Sequence, residues 1–233
     1  MTKVVLISGS LRAASVNSAA LRAVRRIIGR TRPAASVVSL PIGRLPFYNG
    51  DMEGTGTTPA VAAARALVAG ADALVISTPC YNGGVPGVLK NALDWLSRPD
   101  GASPLTGRVA AVLSASPGGR GGIDAQPALF DLLDSCEAIT VEHPPVAIRR
   151  AHQRLDAAGE MTEGEAVRAL RELVDATFEA VAIMEEQRRS VCELHARVRE
   201  ERGPVRTVHG AVPPAPQRGA AAPSRASVTS SRS

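Results

Sequence analysis

The chain has 233 residues, 45% of them hydrophobic, enough apolar material for one medium α/β domain with an appendage. Aromatic residues make up only 3%, so Ala, Val and Leu must fill the interior. The formal charge of +5 falls to +1 once the four arginines of the acid-free segment 203–233 are set aside, so the folded part has no basic excess pointing to nucleic acid.

Cys80, Cys136 and Cys192 are far apart and form no CxxC pair. That spacing argues for reduced thiols in a cytoplasmic protein, and against a disulfide framework or a zinc site. The opening MTKVVLISGS is too short and too poor in positive charge for a secretory leader and reads as a first strand. Asp72 interrupts the best apolar stretch before it reaches the ~18 residues of a membrane span.

In chain order, β-branched apolar runs predict strands at 3–8, 36–40, 73–77, 108–114 and 139–141. Helical patterns predict helices near 15–30, 59–69, 86–96 and 122–136. A last long helix is expected from Thr162, with Glu165 three residues on as a capping box. This alternation gives an α/β fold: a flavodoxin-like three-layer sandwich whose five-stranded parallel sheet has order 2-1-3-4-5 and helices on both faces. Residues 1–186 form this domain, 187–202 a charged helical extension, and 203–233 a Pro/Ala/Ser/Arg tail too poor in apolar surface to fold. Val191, Leu194 and Val198 leave a narrow apolar stripe on the extension, which is either a solvated continuation or a self-association helix.

In that strand order the loops after the first, third and fourth strands gather at one edge, where such sheets bind ligands. They are the most Gly/Ser/Asn-rich loops of the core. GSLRAASVN, 9–17, turns tightly at Gly9 and opens a helix, so Ser10, Ser15, Asn17 and Arg12 surround a positive helix end, a set suited to a phosphate monoester. It is neither GxGxxG nor GxxxxGK[ST]. TPCYNGGVPG, 78–87, supplies Pro79, the ring of Tyr81, and a positive-φ turn at Asn82, Gly83 and Gly84, with Pro86 expected at the first helical position. SASPGGRGG, 114–122, is nearly free of side chains apart from Arg120, which can meet an anion. Trp95 reads as a core or interface residue, and Asp51 and Glu53 as loop caps, with a role at a subunit interface as the alternative. His143, His152, His195 and His209 lack metal-ligand spacing, so no metal is expected.

GSLRAASVN, LPFYNGDME, TPCYNGGVPGVLKNALDWLSRP and SPGGRGG, in that order, resemble the NADPH-dependent FMN reductase family, flavodoxin-like flavoproteins that reduce flavins, quinones, azo dyes or chromate. The resemblance spans roughly 2–184, and its most specific part is the PGxLKNALDW run after a PxYN turn. It implies that Ser10, Arg12, Ser15 and Asn17 hold an FMN phosphate. It also implies that Pro79, Cys80, Tyr81, Asn82 and Gly83 line the isoalloxazine, with Ser116, Gly118, Gly119 and Arg120 at its other edge. Cys80 stands where the family often has glutamate; as a residue it reads as a small apolar filler.

The implied activity is hydride transfer from NADPH or NADH to bound FMN and on to a flavin, quinone or similar small-molecule acceptor, with ping-pong kinetics. No side chain need be catalytic, because the flavin N5 carries the chemistry. A homodimer or homotetramer is implied, with the KNALDW helix in the interface, and no nucleic-acid or membrane partner. The alternatives are a flavin-binding electron carrier or sensor without turnover, and a non-catalytic interaction protein acting through the C-terminal helix. Arg12 in the phosphate loop and the chain's net positive charge favour the enzyme over the carrier.

Overall fold

The computed structural model describes residues 1–53 and 57–202, the stretch 199–202 by its backbone alone. The expected disordered tail, 203–233, lies outside the described residues. In chain order the elements are β1 (Lys3–Ser8), α1 (Val16–Thr31), β2 (Ser36–Ser39), α2 (Pro59–Ala69), β3 (Ala73–Thr78), α3 (Gly87–Leu96), β4 (Val109–Ala115), α4 (Gln126–Ser135), β5 (Ile139–Thr140), β6 (Val146–Ile148) and α5 (Glu165–Arg202).

The sheet is parallel with order β2-β1-β3-β4-β5, and β6 also pairs with β4. The central strands β3 and β4 are buried at every position. Alternate residues feed two separate cores. Val4, Leu6 and Val75 pack with α1 and α5, whereas Val5, Ile7 and Ile76 pack with α2, α3 and α4. Continuous Val/Ile/Leu runs in the sequence are thus the mark of strands covered on both sides. The only tryptophan, Trp95, is 1% exposed in α3.

Three details differ from the expected pattern. The fifth strand position is occupied twice: β5 pairs with the start of β4, at Val109 and Ala110, and β6 pairs with its end, at Leu113 to Ala115. Pro144 and Pro145 lie between them, where the missing N–H groups break the ladder. Gln126 ties β4 to the start of β6, its Nε2 donating to Ser114 Oγ at 2.8 Å and to the Val146 carbonyl at 2.9 Å. Pro86 is the N-cap of α3 rather than its first helical residue. No capping box forms at the last helix: α5 starts at Glu165, and the Thr162 hydroxyl donates instead to the Arg154 carbonyl.

The chain divides into two units, Met1–Ser190 with the sheet and both cores, and Val191–Ser233. In the second, the described residues are helical, with Val191, Leu194 and Val198 exposed.

Candidate active site

The carboxyl ends of β1, β3 and β4 carry the loops 9–15, 79–86 and 116–122, and these meet in one cleft. Its lining is Ser10, Arg12, Ser15, Val16, Asn17, Pro79, Cys80, Tyr81, Ala115, Ser116 and Pro117. Eight of the residues expected at the site are therefore together. Asn82, Gly83, Gly118, Gly119 and Arg120 stand outside this lining, on the continuations of the same two loops.

Two features hold the loops in register. Gly9 donates its N–H to the Ser77 carbonyl at 2.8 Å, and a Cβ there would come within 3.1 Å of Leu89 and of the Pro79 ring. Glycine is what lets the first loop lie against the second. Asn17, 2% exposed, is the second brace. Its Nδ2 donates to the Ala115 carbonyl at 2.9 Å, and its Oδ1 accepts from Ser77 Oγ at 2.8 Å and from the Ala115 N–H at 3.1 Å. One amide thus ties the start of α1 to the ends of β3 and β4.

The first loop is electropositive. Ser15 caps α1, accepting from the Ser18 N–H at 3.2 Å, and α1 has no acid in its first turn to oppose the helix dipole. Ser10 and Ser15 are buried in the cleft wall, and Arg12 is exposed at its mouth. In the second loop Asn82 (φ 52°) and Gly83 (φ 83°) form a two-residue turn closed by Tyr81 and Gly84, whose amides donate to each other's carbonyls at 3.1 and 3.0 Å. Those bonds do not use the Asn82 and Gly83 amides. Tyr81 remains 48% exposed.

In the third loop Ser116 accepts from the Gly118 N–H at 3.1 Å, and a Cβ at Gly119 would meet nothing within 4 Å. Arg120 is exposed and paired with Asp124, its Nε 2.7 Å from Oδ2. That bond, before any other cause, holds the Asp124 carboxyl below its usual range. The spacing of four residues before a helix was the one signal in the sequence for this pair.

A further constellation escaped the sequence reading. Pro46 accepts at its carbonyl from Asn91 Nδ2 at 2.9 Å and from Trp95 Nε1 at 2.8 Å, and the Tyr48 N–H donates to Asn91 Oδ1 at 2.7 Å. The Tyr48 ring meets Trp95 edge-on at 5.0 Å. Its hydroxyl bonds Glu53, which raises the Tyr48 pKa. Glu53 also caps the end of the short turn Gly50–Met52, its N–H donating to the Gly50 carbonyl at 3.0 Å. The backbone of the short turn near Asp51 is capped by Asn49. The clamp leaves Phe47 88% exposed.

Cleft, loops and sheet order together fit a flavin site, and comparison with known proteins agrees. The profile of the NADPH-dependent FMN reductase family matches residues 2–153. The chain belongs to this family. An NAD(P)H-dependent FMN reductase of Pseudomonas aeruginosa is 40% identical over 181 residues, 78% of this chain and 94% of the relative. A quinone reductase of Escherichia coli K12 is 39% identical over 146 residues, 61% of this chain and 74% of the relative. Among solved structures, FerB, a flavoenzyme NAD(P)H:(acceptor) oxidoreductase from Paracoccus denitrificans, is similar with a TM-score of 0.72 and 29% identity, covering 79% of this chain and 99% of its own. This family member is therefore an oxidoreductase of flavodoxin-like fold, with FMN as cofactor and NAD(P)H as co-substrate.

Proposed function

We propose that the cleft holds FMN, phosphate toward Ser10, Arg12 and Ser15 and ring toward Pro79, Tyr81 and Ser116, and that the enzyme alternates between an NAD(P)H donor and a flavin, quinone or similar small acceptor. The observation that carries this reading is the meeting of the three loops at the carboxyl ends of β1, β3 and β4. The residues suit the cofactor. A capped, acid-free helix start and Arg12, which makes no ion pair among the described residues, match a phosphate monoester, and the exposed Tyr81 ring offers its face to a flat one. Bound there, FMN supplies the hydride chemistry, accepting from NAD(P)H and passing the electrons on.

The protein's part is to place and expose. The lining contains no His, Asp or Glu, as expected where no side chain has to act as a general acid or base. The Asn82 and Gly83 amides serve as donors to the carbonyl edge of the ring, and Asn17 keeps the loops at fixed separation. Donor and acceptor use the same open face in turn, which gives ping-pong kinetics. Cys80 fills the wall beside Tyr81.

A homodimer or homotetramer follows from the same reading: Phe47 is held rigidly outward on a loop clamped to α3, next to the KNALDW face. The free cysteines agree with a cytoplasmic protein, and among the described residues no helix is long and apolar enough to cross a membrane. The test is to purify the full chain, identify bound chromophore, and follow NADPH and NADH oxidation with quinone and with flavin at varied donor and acceptor concentrations. Parallel double-reciprocal lines and bound FMN are expected; a protein that takes up no FMN and oxidises neither nucleotide would overturn the reading.

A further inference from the structure

Arg149, Arg150 and Arg154 line a groove together with Gly119 and Glu165. Its volume, about 580 Å³, lies within the ~300–1,000 Å³ of small-molecule sites. None of these three guanidiniums is among the ion pairs of the described residues, whereas Arg22, Arg26 and Arg32 all have carboxylate partners. The groove therefore presents three unneutralised positive charges against one carboxylate.

The position of these arginines is built rather than incidental. They follow β6, whose last residue Ile148 is in register with Ala115, so they emerge at the same sheet edge as the cleft. The Arg150 N–H donates to the Gly118 carbonyl at 3.0 Å, the Ala151 N–H to the Ser116 carbonyl at 3.0 Å, and the Ser116 N–H to the Ile148 carbonyl at 3.2 Å. A Cβ at Gly121 would lie 2.9 Å from the Ala147 carbonyl carbon, so only glycine allows this approach. Arg150 itself sits at φ 46°, ψ 43°, a conformation glycine adopts freely and arginine rarely. One loop, Ser116 to Gly119, is thus the shared wall of cleft and groove.

We propose that this groove receives the adenosine 2′-phosphate of NADPH and so sets preference for NADPH over NADH. The proposal rests on the reading of the cleft as the flavin and nicotinamide site. With the nicotinamide on the cleft side of the shared wall, the far end of the dinucleotide crosses to the groove side. A phosphate monoester carries about −1.5 to −2 near pH 7, and three arginines with one glutamate offer a net +2. Forked guanidinium donors match its oxygens, and the Glu165 carboxylate opposes any bound anion.

The test uses the full-length flavin-loaded chain and the variants Arg149→Ala, Arg150→Gly, Arg154→Ala and Glu165→Gln. The readout is the ratio of kcat/KM for NADPH to that for NADH. Each arginine variant is expected to lower the ratio roughly tenfold and Glu165→Gln to raise it. Arg150→Gly guards against a folding artefact, because glycine suits φ 46° and the melting temperature should hold. Calorimetry with adenosine 2′,5′-bisphosphate and with 5′-AMP reads the groove without turnover: the bisphosphate should bind more tightly, and the arginine variants should remove that margin. An unchanged ratio in all three arginine variants, or equal losses with both coenzymes, overturns the 2′-phosphate assignment. If the native chain oxidises neither coenzyme, the reading of the cleft falls, and the calorimetric margin still decides whether the groove binds the phosphate.

Discussion

At the α1 end of the cleft, polar groups are buried and hydrogen-bonded; at the other end, the lining is Tyr81, half-exposed, with Ser116 and Pro117. On the proposed reading of the cleft, the difference follows what each end has to hold. In the proposed arrangement the phosphate is a fixed point charge, best met by groups already ordered, and Ser15 is held as the cap of α1 while Asn17 braces the loops around it. A ring that must exchange one partner for another needs a face left bare, and in the proposed arrangement the half-exposed Tyr81 stands at that end of the cleft.

The comparison breaks most severely at Asn17. Asn17→Ala leaves the Ser77 hydroxyl and both Ala115 backbone groups without their buried partner, and should destabilise the protein by about 2–4 kcal/mol in chemical denaturation. Retention of native stability would mean that the amide does not brace the loops. Next comes Arg12→Ala, which should weaken FMN binding by about 1–3 kcal/mol in a fluorescence titration without a comparable loss of stability, since the side chain is exposed. A smaller effect is expected for Gly83→Ala. Its φ of 83° costs a side chain about 1–2 kcal/mol, and the loss should appear as a lower melting temperature.

The smallest effect concerns pH. Because the carboxyl of Asp124 is depressed in the fold by Arg120, its contribution is present above the ordinary carboxylate range and is lost as pH falls through the folded value. The pair is exposed, so the difference in melting temperature between the native chain and Asp124→Asn should be slight near neutrality and vanish in acid. A difference that grows on acidification would reverse the sign.

The fold was legible because its signals are local: β1, β3 and β4 are apolar runs, and the N-cap Ser15 and the turn at Asn82 and Gly83 are decided by neighbouring residues. What was not legible depends on distant partners. Asn17 looked like one more phosphate donor, yet it bonds Ser77 and Ala115, 60 and 98 residues away. The clamp of Pro46 and Tyr48 on Asn91 and Trp95 is likewise invisible until α3 and the loop after β2 are brought together. The glycines after Arg120 resembled a ligand wall; Gly121 instead packs against the backbone of β6 at Ala147 and of Arg149 just beyond it. The split of the fifth strand was written in Pro144 and Pro145, but only the pairing with β4 shows that the chain resumes as a strand beyond them.

The most direct test of the central claim is an FMN titration of the cofactor-stripped full chain, followed by flavin fluorescence, with Arg12→Ala and Ser15→Ala alongside. Saturation at one FMN per chain, with weaker binding in both variants, is the predicted result. Equal affinity in all three proteins, or no saturable binding, would place the phosphate elsewhere and contradict the account.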